Sequence, residues 1–242
     1  VDADLTVHAG PNRMAAALAE VEVEDHARWT RWCADRRAAF LDTLDCPPQL
    51  GDLDMGDVVA WLRENLPDDV IVTTGAGNFS AWADKFLLYG ERARLLASQN
   101  GTMGYGLPAA VAAKLVEPDR TVVCFAGDGD LQMNLQELGT GLQEDARPIV
   151  LVVDNGSYGT IRMHQELHHP GRVVGTDIVN PDFVAIAGAY GMHAEQVLAT
   201  ADFGPAFERA LASSTGALLH LVVATDQLTP RLTVEQARRT DG

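Results

Sequence analysis

Cysteine is the first scarcity. Cys33, Cys46 and Cys124 are the only three in 242 residues and no two have CxxC spacing, so neither a disulfide framework nor a zinc site is expected, and the usage fits a reducing cytoplasm. Basic residues are the second. Lys and Arg total 18 against 34 Asp and Glu, a formal net charge of -16 with a sequence pI near 4.6. A field of that sign repels nucleic-acid backbones and anionic membrane surfaces, which excludes both as partners. An anionic small ligand then needs a local remedy: a metal ion, a helix N-terminus or a cluster of backbone N–H groups. Long apolar runs are missing too. None reaches the roughly 20 residues of a membrane span, and the N-terminus lacks the basic and apolar segments of a signal peptide. There is also no internal repeat. What the chain does have is 47% hydrophobic content, enough for one substantial core with an appended piece of a second domain.

Residues 14–44 are alanine-rich and charged, with Leu18, Val21, Trp29, Trp32, Phe40 and Leu41 at roughly helical spacing, the pattern of one or two helices. The opening VDADLTVHAGPN reads as the interior of a longer polypeptide. Cys46-Pro47-Pro48-Gln49 breaks the helical pattern and Gly51-Asp52 offers a loop. Residues 1–50 are therefore expected to be the tail of a preceding domain with its linker, and residues 51–242 the main domain. Strands are expected over 70–74, 94–97, 121–126, 149–154, 193–197 and 218–224. Helices are expected over 55–66, 80–89, 107–116, 131–144, 181–190 and 204–213. This alternation, with near-continuous apolar runs at 121–126 and 149–154, predicts an α/β fold: a doubly wound, mainly parallel sheet with helices on both faces. Ligands of such sheets bind beyond the carboxyl ends of the strands, which directs attention to the loops after Thr74, Ala97, Ala126 and Val153.

The loop after the third strand reads Ala126-Gly127-Asp128-Gly129-Asp130, and the loop after the fourth reads Asp154-Asn155-Gly156-Ser157-Tyr158-Gly159. Taken alone, the first is an ordinary turn with Asp130 as a helix N-cap and the second a tight turn. On adjacent parallel strands, however, they would lie side by side. Asp128 would then offer a carboxylate oxygen, Asn155 an amide oxygen and Ser157 a backbone carbonyl to one hard cation, a set that suits magnesium. The loop Gly75-Ala76-Gly77-Asn78-Phe79 invites a dinucleotide reading, but Ser80 stands at its third glycine position and no acid ends a second strand about 20 residues on. Asn78 reads as a helix cap. His164, His168 and His169 follow the Asn155 loop, on a flap or, on the simpler reading, a solvated segment.

The GDG followed about 25 residues later by asparagine, with QMNLQEL and NGSYGTIR beside them, resembles the signature of thiamine-diphosphate enzymes, in their acetolactate synthase and benzoylformate decarboxylase branch. The resemblance covers most of residues 52–224 and implies their fold. It implies that Asp128, Asn155 and the Ser157 carbonyl ligate magnesium, and that Gly127, Gly129 and Asp130 face the diphosphate. Gly77, Asn78 and Phe79 would lie over the diphosphate, with Trp82 matching a family tryptophan. The carbonyl of Gly101 and the N–H of Met103 would bind the aminopyrimidine, with Met103 wedged beneath the thiazolium to enforce the folded cofactor. Tyr158, Gly159 and Ile161 complete the implied cofactor site. Two positions depart from the family: Asp130 replaces a small or hydroxyl residue, and Asp154 replaces the first of two asparagines. An acid beside phosphate is repelled unless it turns away, so only the Asp130 backbone is expected to serve the diphosphate.

The activity implied is decarboxylation of a 2-oxoacid and transfer of the resulting enamine to a carbonyl acceptor, as in acetolactate synthases. A benzoylformate-type decarboxylase and a non-catalytic cofactor-binding fragment are the alternatives. The family's ionising glutamate belongs to a pyrimidine-binding domain on a second subunit. No catalytic residue is therefore expected in this chain, which alone should be inactive, and the parent should be a homodimer or homotetramer. FAD in the full-length parent stays open.

Overall fold

The computed structural model describes residues 2–22 and 29–239, which fall into two compact units, Val1–Thr43 and Leu44–Gly242. The first unit holds α1 (Pro11–Ala19) and α2 (Thr30–Leu41). Pro11 begins α1, where a missing N–H removes no helical bond. Neither helix buries a residue, and Leu18, Trp32, Phe40 and Leu41 are exposed. Residues 23–28 of the expected helical stretch lie outside the described residues.

In the second unit the chain runs α3 (Met55–Asn65), β1 (Ile71–Thr74), α4 (Ser80–Phe86), β2 (Arg94–Ala97), α5 (Gly106–Val116), β3 (Val122–Gly127), α6 (Asp128–Leu131), α7 (Glu137–Gln143) and β4 (Ile149–Asp154). It continues through α8 (Gly159–His168), α9 (Phe183–Ala189), β5 (His193–Val197), α10 (Thr200–Ala212), β6 (Ala217–Val222), β7 (Gln227–Thr229), β8 (Leu232–Thr233) and α11 (Val234–Arg239). Six strands form one sheet in the order β2-β1-β3-β4-β6-β5, with every pairing parallel. Side chains alternate across it, so the inner strands β1, β3, β4 and β6 feed two cores. Val123, Phe125, Leu151 and Leu219 meet α3, α4 and α10 on one face through Leu62, Phe86, Phe203 and Phe207. Cys124, Val150, Val152 and Leu218 meet α5, α7 and α9 on the other through Leu107, Val111, Leu138 and Phe183. The doubly wound α/β architecture follows from burial on both faces of β1, β3 and β4.

Three local differences from the sequence expectation have physical causes. The helix expected over 131–144 is broken after Leu131, because residues 133–139 close i to i−3 turns, such as Asn134 N–H to Leu131 O (3.2 Å) and Glu137 N–H to Asn134 O (3.0 Å). The segment after Asn155, expected as a flap or solvated stretch, contains α8. Its apolar Met163 and Leu167 pack on Leu228, Val234 and Ala237 of the C-terminal hairpin and helix. Its fully buried Glu166 accepts from Arg238 Nε (2.8 Å) and Nη2 (2.6 Å) and from Gly171 N–H (2.9 Å). That partner is far away in sequence, so no local pattern announces the helix. Finally, residues 44–50 pack within the main unit: Leu50 N–H donates to Gln227 Oε1 at 3.0 Å. Among the described residues no helix is long and apolar enough to cross a membrane.

Candidate functional site

The strand order places β2 on one side of β1 and β3 on the other, so the chain reverses direction across the sheet there and a crevice opens beyond the strand ends. A cavity of about 300 Å³ occupies it, the lower end of the range for small-molecule sites. Every residue assigned to the cofactor site from the sequence lines it. Gly77, Asn78 and Phe79 come from the loop after β1, Gly101 and Met103 from that after β2, and Gly127, Asp128, Gly129 and Asp130 from the end of β3. Asn155, Ser157, Tyr158, Gly159 and Ile161 come from beyond β4. Sequence reasoning missed Gln49, Leu50, Met55, Thr160, Gln227 and Leu228, which also line it. Apolar or amide side chains on segments outside the glycine-rich loops carry no chemical signature that would mark them.

Asp130 is buried, and its carboxylate is turned into the protein rather than toward a ligand. Its Oδ1 accepts from Ala76 N–H at 3.1 Å and Gly104 N–H at 2.8 Å, tying the loops after β1, β2 and β3 together. A β-carbon at Gly75 would collide with this carboxylate, which accounts for glycine there. Burial pushes the Asp130 carboxyl above its ordinary range against the opposing pull of those amides. The expectation that Asp130 caps a helix is overturned: α6 begins at Asp128 with Gly127 as its N-cap.

Gly127 is in register with Val153, which brings the Asp128 and Asn155 loops side by side as expected. Asp128 is buried, and burial pushes its carboxyl up to about 6 while Asn180 pulls it down and Asp154 pushes it further up. Asn155 Oδ1 accepts from Ser157 N–H (3.1 Å), leaving a second lone pair. The Gly156 and Thr176 carbonyls serve the bridge between Ser157 and Asp177, so that bridge does not use the Ser157 carbonyl. Among the described residues no group of three or more His, Cys, Asp and Glu is arranged to hold a metal. One carboxylate, one amide oxygen and one carbonyl fit a hard cation that takes its other ligands from phosphate and water. Gly129 adds a close approach: a β-carbon there would lie 2.7 Å from Tyr158 Cε1.

Asn78 does not cap α4. Phe79 stands at the N-cap without a side-chain bond, and Asn78 Oδ1 instead accepts from Thr160 Oγ1 (2.9 Å) while its N–H donates back to that oxygen (3.1 Å). This reciprocal pair joins the loop after β1 to α8. Met103 is half-buried in a loop held by Thr102 N–H to Ser98 Oγ (2.9 Å) and Asn134 Nδ2 to Gly104 O (2.9 Å). Trp82 Nε1 is buried at the cavity wall with no hydrogen-bond partner among the described residues. The exposed His164 and His168 stack on each other along α8 and do not line the cavity.

Behind Asp128 lies a polar cluster that sequence reasoning also missed. Asn180 Nδ2 donates to Asp128 Oδ2 and Asp154 Oδ1, each at 2.8 Å, and His220 Nε2 lies 2.7 Å from Asp154 Oδ2. Burial pushes Asp154 up, but the bonds from His220 and Gly156 outweigh it and hold the carboxyl below its ordinary range. The signal was present only as Asp154, the position at which the resemblance leads one to expect the first of two asparagines.

Residues 75–221 match the sequence model of the thiamine pyrophosphate enzymes' C-terminal TPP-binding domain. The chain is 34% identical over 203 residues to the acetolactate synthase isozyme 2 large subunit of Escherichia coli (strain K12), covering 83% of this chain and 36% of that protein. It is 35% identical over 202 residues to the acetolactate synthase large subunit of Parasynechococcus marenigrum (strain WH8102), covering 78% and 31%. Among solved structures, the thiamine diphosphate-dependent 4-hydroxybenzoylformate decarboxylase of Rhodococcus jostii RHA1 superposes with a TM-score of 0.67 at 29% identity, over 75% of this chain and 34% of that one. The chain thus spans about a third of the length of these relatives.

Proposed function

We propose, from the premise that this chain belongs to the thiamine pyrophosphate enzymes as a C-terminal TPP-binding domain, that it is the diphosphate-binding part of an acetolactate synthase-like enzyme. The parent would decarboxylate a 2-oxoacid and join the remaining acyl unit to a carbonyl acceptor. The observation that carries this is the convergence of all the candidate residues on one cavity at the carboxyl edge of the sheet. Asp128, Asn155 and the Ser157 carbonyl would hold Mg2+. The loops around Gly77, Gly127 and Gly129 let backbone approach the diphosphate, and the loop of Gly101 and Met103 would receive the aminopyrimidine. Bound thiamine diphosphate supplies the electron sink that a 2-oxoacid needs to lose carbon dioxide. This chain's part is to anchor it, exclude water with Phe79, Met103 and Ile161, and keep the Asp130 charge turned away.

The ionising glutamate belongs, on this reading, to a pyrimidine-binding domain of a second subunit in a cytoplasmic homodimer or homotetramer. The 242 residues alone are then expected to give no turnover. A simple 2-oxoacid decarboxylase is the second reading, favoured by the likeness to the Rhodococcus jostii decarboxylase. Calorimetry with thiamine diphosphate and Mg2+ tests the anchor: Asp128→Ala binding like the parent refutes it. Supplying the full-length protein with pyruvate tests the reaction, since acetolactate supports the synthase, an aldehyde the decarboxylase, and no 2-oxoacid consumption neither.

A further inference from the structure

We propose that Asn180 is the positioning residue of the cation site, setting the rotation of the Asp128 carboxylate, and that Asp154 and His220 hold Asn180 in place. This rests on the cofactor reading above and deepens it. Asn180 reaches the strand ends because residues 176–178 run alongside the loop after β4: Tyr158 N–H donates to Thr176 O (2.8 Å) and Ile178 N–H to Gly156 O (2.9 Å). Its neighbour Val179 stands fully in solvent while Asn180 is half-buried, so the side chain is drawn inward by its bonds rather than by apolar packing. An amide nitrogen has two hydrogens, and both are used on carboxylates, Asp128 Oδ2 and Asp154 Oδ1. Gln132 Nε2 donates to the amide oxygen at 3.0 Å. Reversing the amide would set its oxygen against two carboxylates and its nitrogen against a donor, so its orientation is determined by its neighbours.

Asp154 is committed in turn. Its Oδ1 also accepts from Gly156 N–H (2.9 Å) and its Oδ2 lies 2.7 Å from His220 Nε2. His220 sits on β6 with its Nδ1 3.4 Å from Gln196 Nε2 and the edge of Phe183 against its ring, centroids 5.3 Å apart. With Gln196 donating to Nδ1, Nε2 carries the proton given to Asp154. Hydrogen bonds therefore run in one consistent direction from Gln196 through His220 to Asp154, and from Asn180 to both acids. With both its oxygens occupied, Asp154 does not compete with Asp128 for the cation, and Asp128 meets the cavity with Oδ2 already held. Groups that orient a ligating carboxylate in this way typically govern metal affinity by about 10–100-fold.

The test is a Mg2+ titration of the full-length polypeptide at saturating thiamine diphosphate, read by calorimetry, with Asn180→Ala, Asp182→Ala and Asp128→Ala beside the parent. Asp182 caps α9 in the same segment, its Oδ1 accepting from Ala185 N–H at 2.9 Å, and touches neither acid. Asn180→Ala is expected to weaken Mg2+ about 10–100-fold and Asp182→Ala to leave it within about twofold. If Asp182→Ala weakens Mg2+ as much as Asn180→Ala, the effect is general loosening of the segment and the proposal is overturned. If Asn180→Ala binds like the parent while Asp128→Ala does not, the positioning role fails and the cofactor reading survives. If Asp128→Ala itself binds like the parent, the cofactor reading fails and takes this inference with it.

Discussion

Replacing Asp130 separates its role as a clamp from its charge. Asp130→Ala removes the acceptor from Ala76 N–H and Gly104 N–H. The bond to Gly104 is buried, so its orphaned N–H carries the full desolvation penalty, about 1–3 kcal/mol. Ala76 lines the cavity, where water can take over its N–H, so its loss adds less, about 1 kcal/mol. The sum is about 2–4 kcal/mol. With a urea dependence of about 1–3 kcal/mol per molar, the unfolding midpoint should fall by about 0.7 M or more. Asp130→Asn keeps an oxygen at the same place and removes a charge that burial already disfavours. It should therefore stay within about 1 kcal/mol of the parent. Equilibrium urea unfolding followed by tryptophan fluorescence distinguishes the two variants. If Asp130→Asn falls as far as Asp130→Ala, the charge rather than the acceptor geometry matters; if Asp130→Ala does not shift the midpoint, the clamp does not tie the loops.

Gly129→Ala would place a methyl 2.7 Å from Tyr158 Cε1 and 2.9 Å from Ile178 Cδ1, and calorimetry should show thiamine diphosphate affinity reduced about tenfold or more, since overpacking costs about 1–3 kcal/mol. Hydrogen bonds from Arg238, against an opposing effect of burial, hold the Glu166 carboxyl down to about 2 from an ordinary 4.5. A depressed carboxylate stabilises fully above its unfolded value and loses that contribution as pH falls through its folded one. The docking of α11 on α8 should thus be intact above pH 4.5 and fail as pH approaches 2, exposing the C-terminal hairpin and helix to pepsin; in Arg238→Met cleavage should already be fast at pH 4.5. Burial pushes the thiols of Cys124 and Cys46 up to about 12 and about 11, so a thiol reagent at pH 8 should label the exposed Cys33 rapidly and the other two slowly.

What was legible in the sequence had local causes. The strands at 122–127 and 149–154 are near-continuous apolar runs, as a strand buried on both faces requires. The glycines at 127 and 129 mark where the Phe79 and Tyr158 rings press against the backbone. What was illegible depended on partners distant along the chain. Glu166 sits mid-helix in α8 and looks like a surface acid until Arg238, from the far end of the chain, meets it at 2.6 Å. Asn78 looks like a cap until Thr160 takes its oxygen. The break in the expected helix at 131–144 likewise depends on Asn134, whose side chain reaches back to Gly104 O at 2.9 Å.

The same dependence decides between three aspartates that the sequence presents as near equals. Asp128, Asp130 and Asp154 gather at the ends of β3 and β4 in a chain of net charge -16, where unrelieved repulsion would be costly. Two of them are relieved within the protein, by different means. Asp130 is answered by two backbone amides from neighbouring loops, which fixes its direction away from the cavity. Asp154 is answered by His220 and Gly156, whose bonds hold its carboxyl down, and together with Asn180 they occupy both oxygens. Asp128 has Asn180 as its side-chain donor and remains pushed up to about 6, chiefly by burial. Of the three, it is the carboxylate whose ionised form the protein satisfies least, and it faces the cavity beside Asn155. The proposed cation would supply there what the other two already have. On the proposed reading the GDGD loop thus offers one ligand and one clamp from chemically identical side chains, and the difference lies in Ala76, Gly104 and Asn180 rather than in the motif.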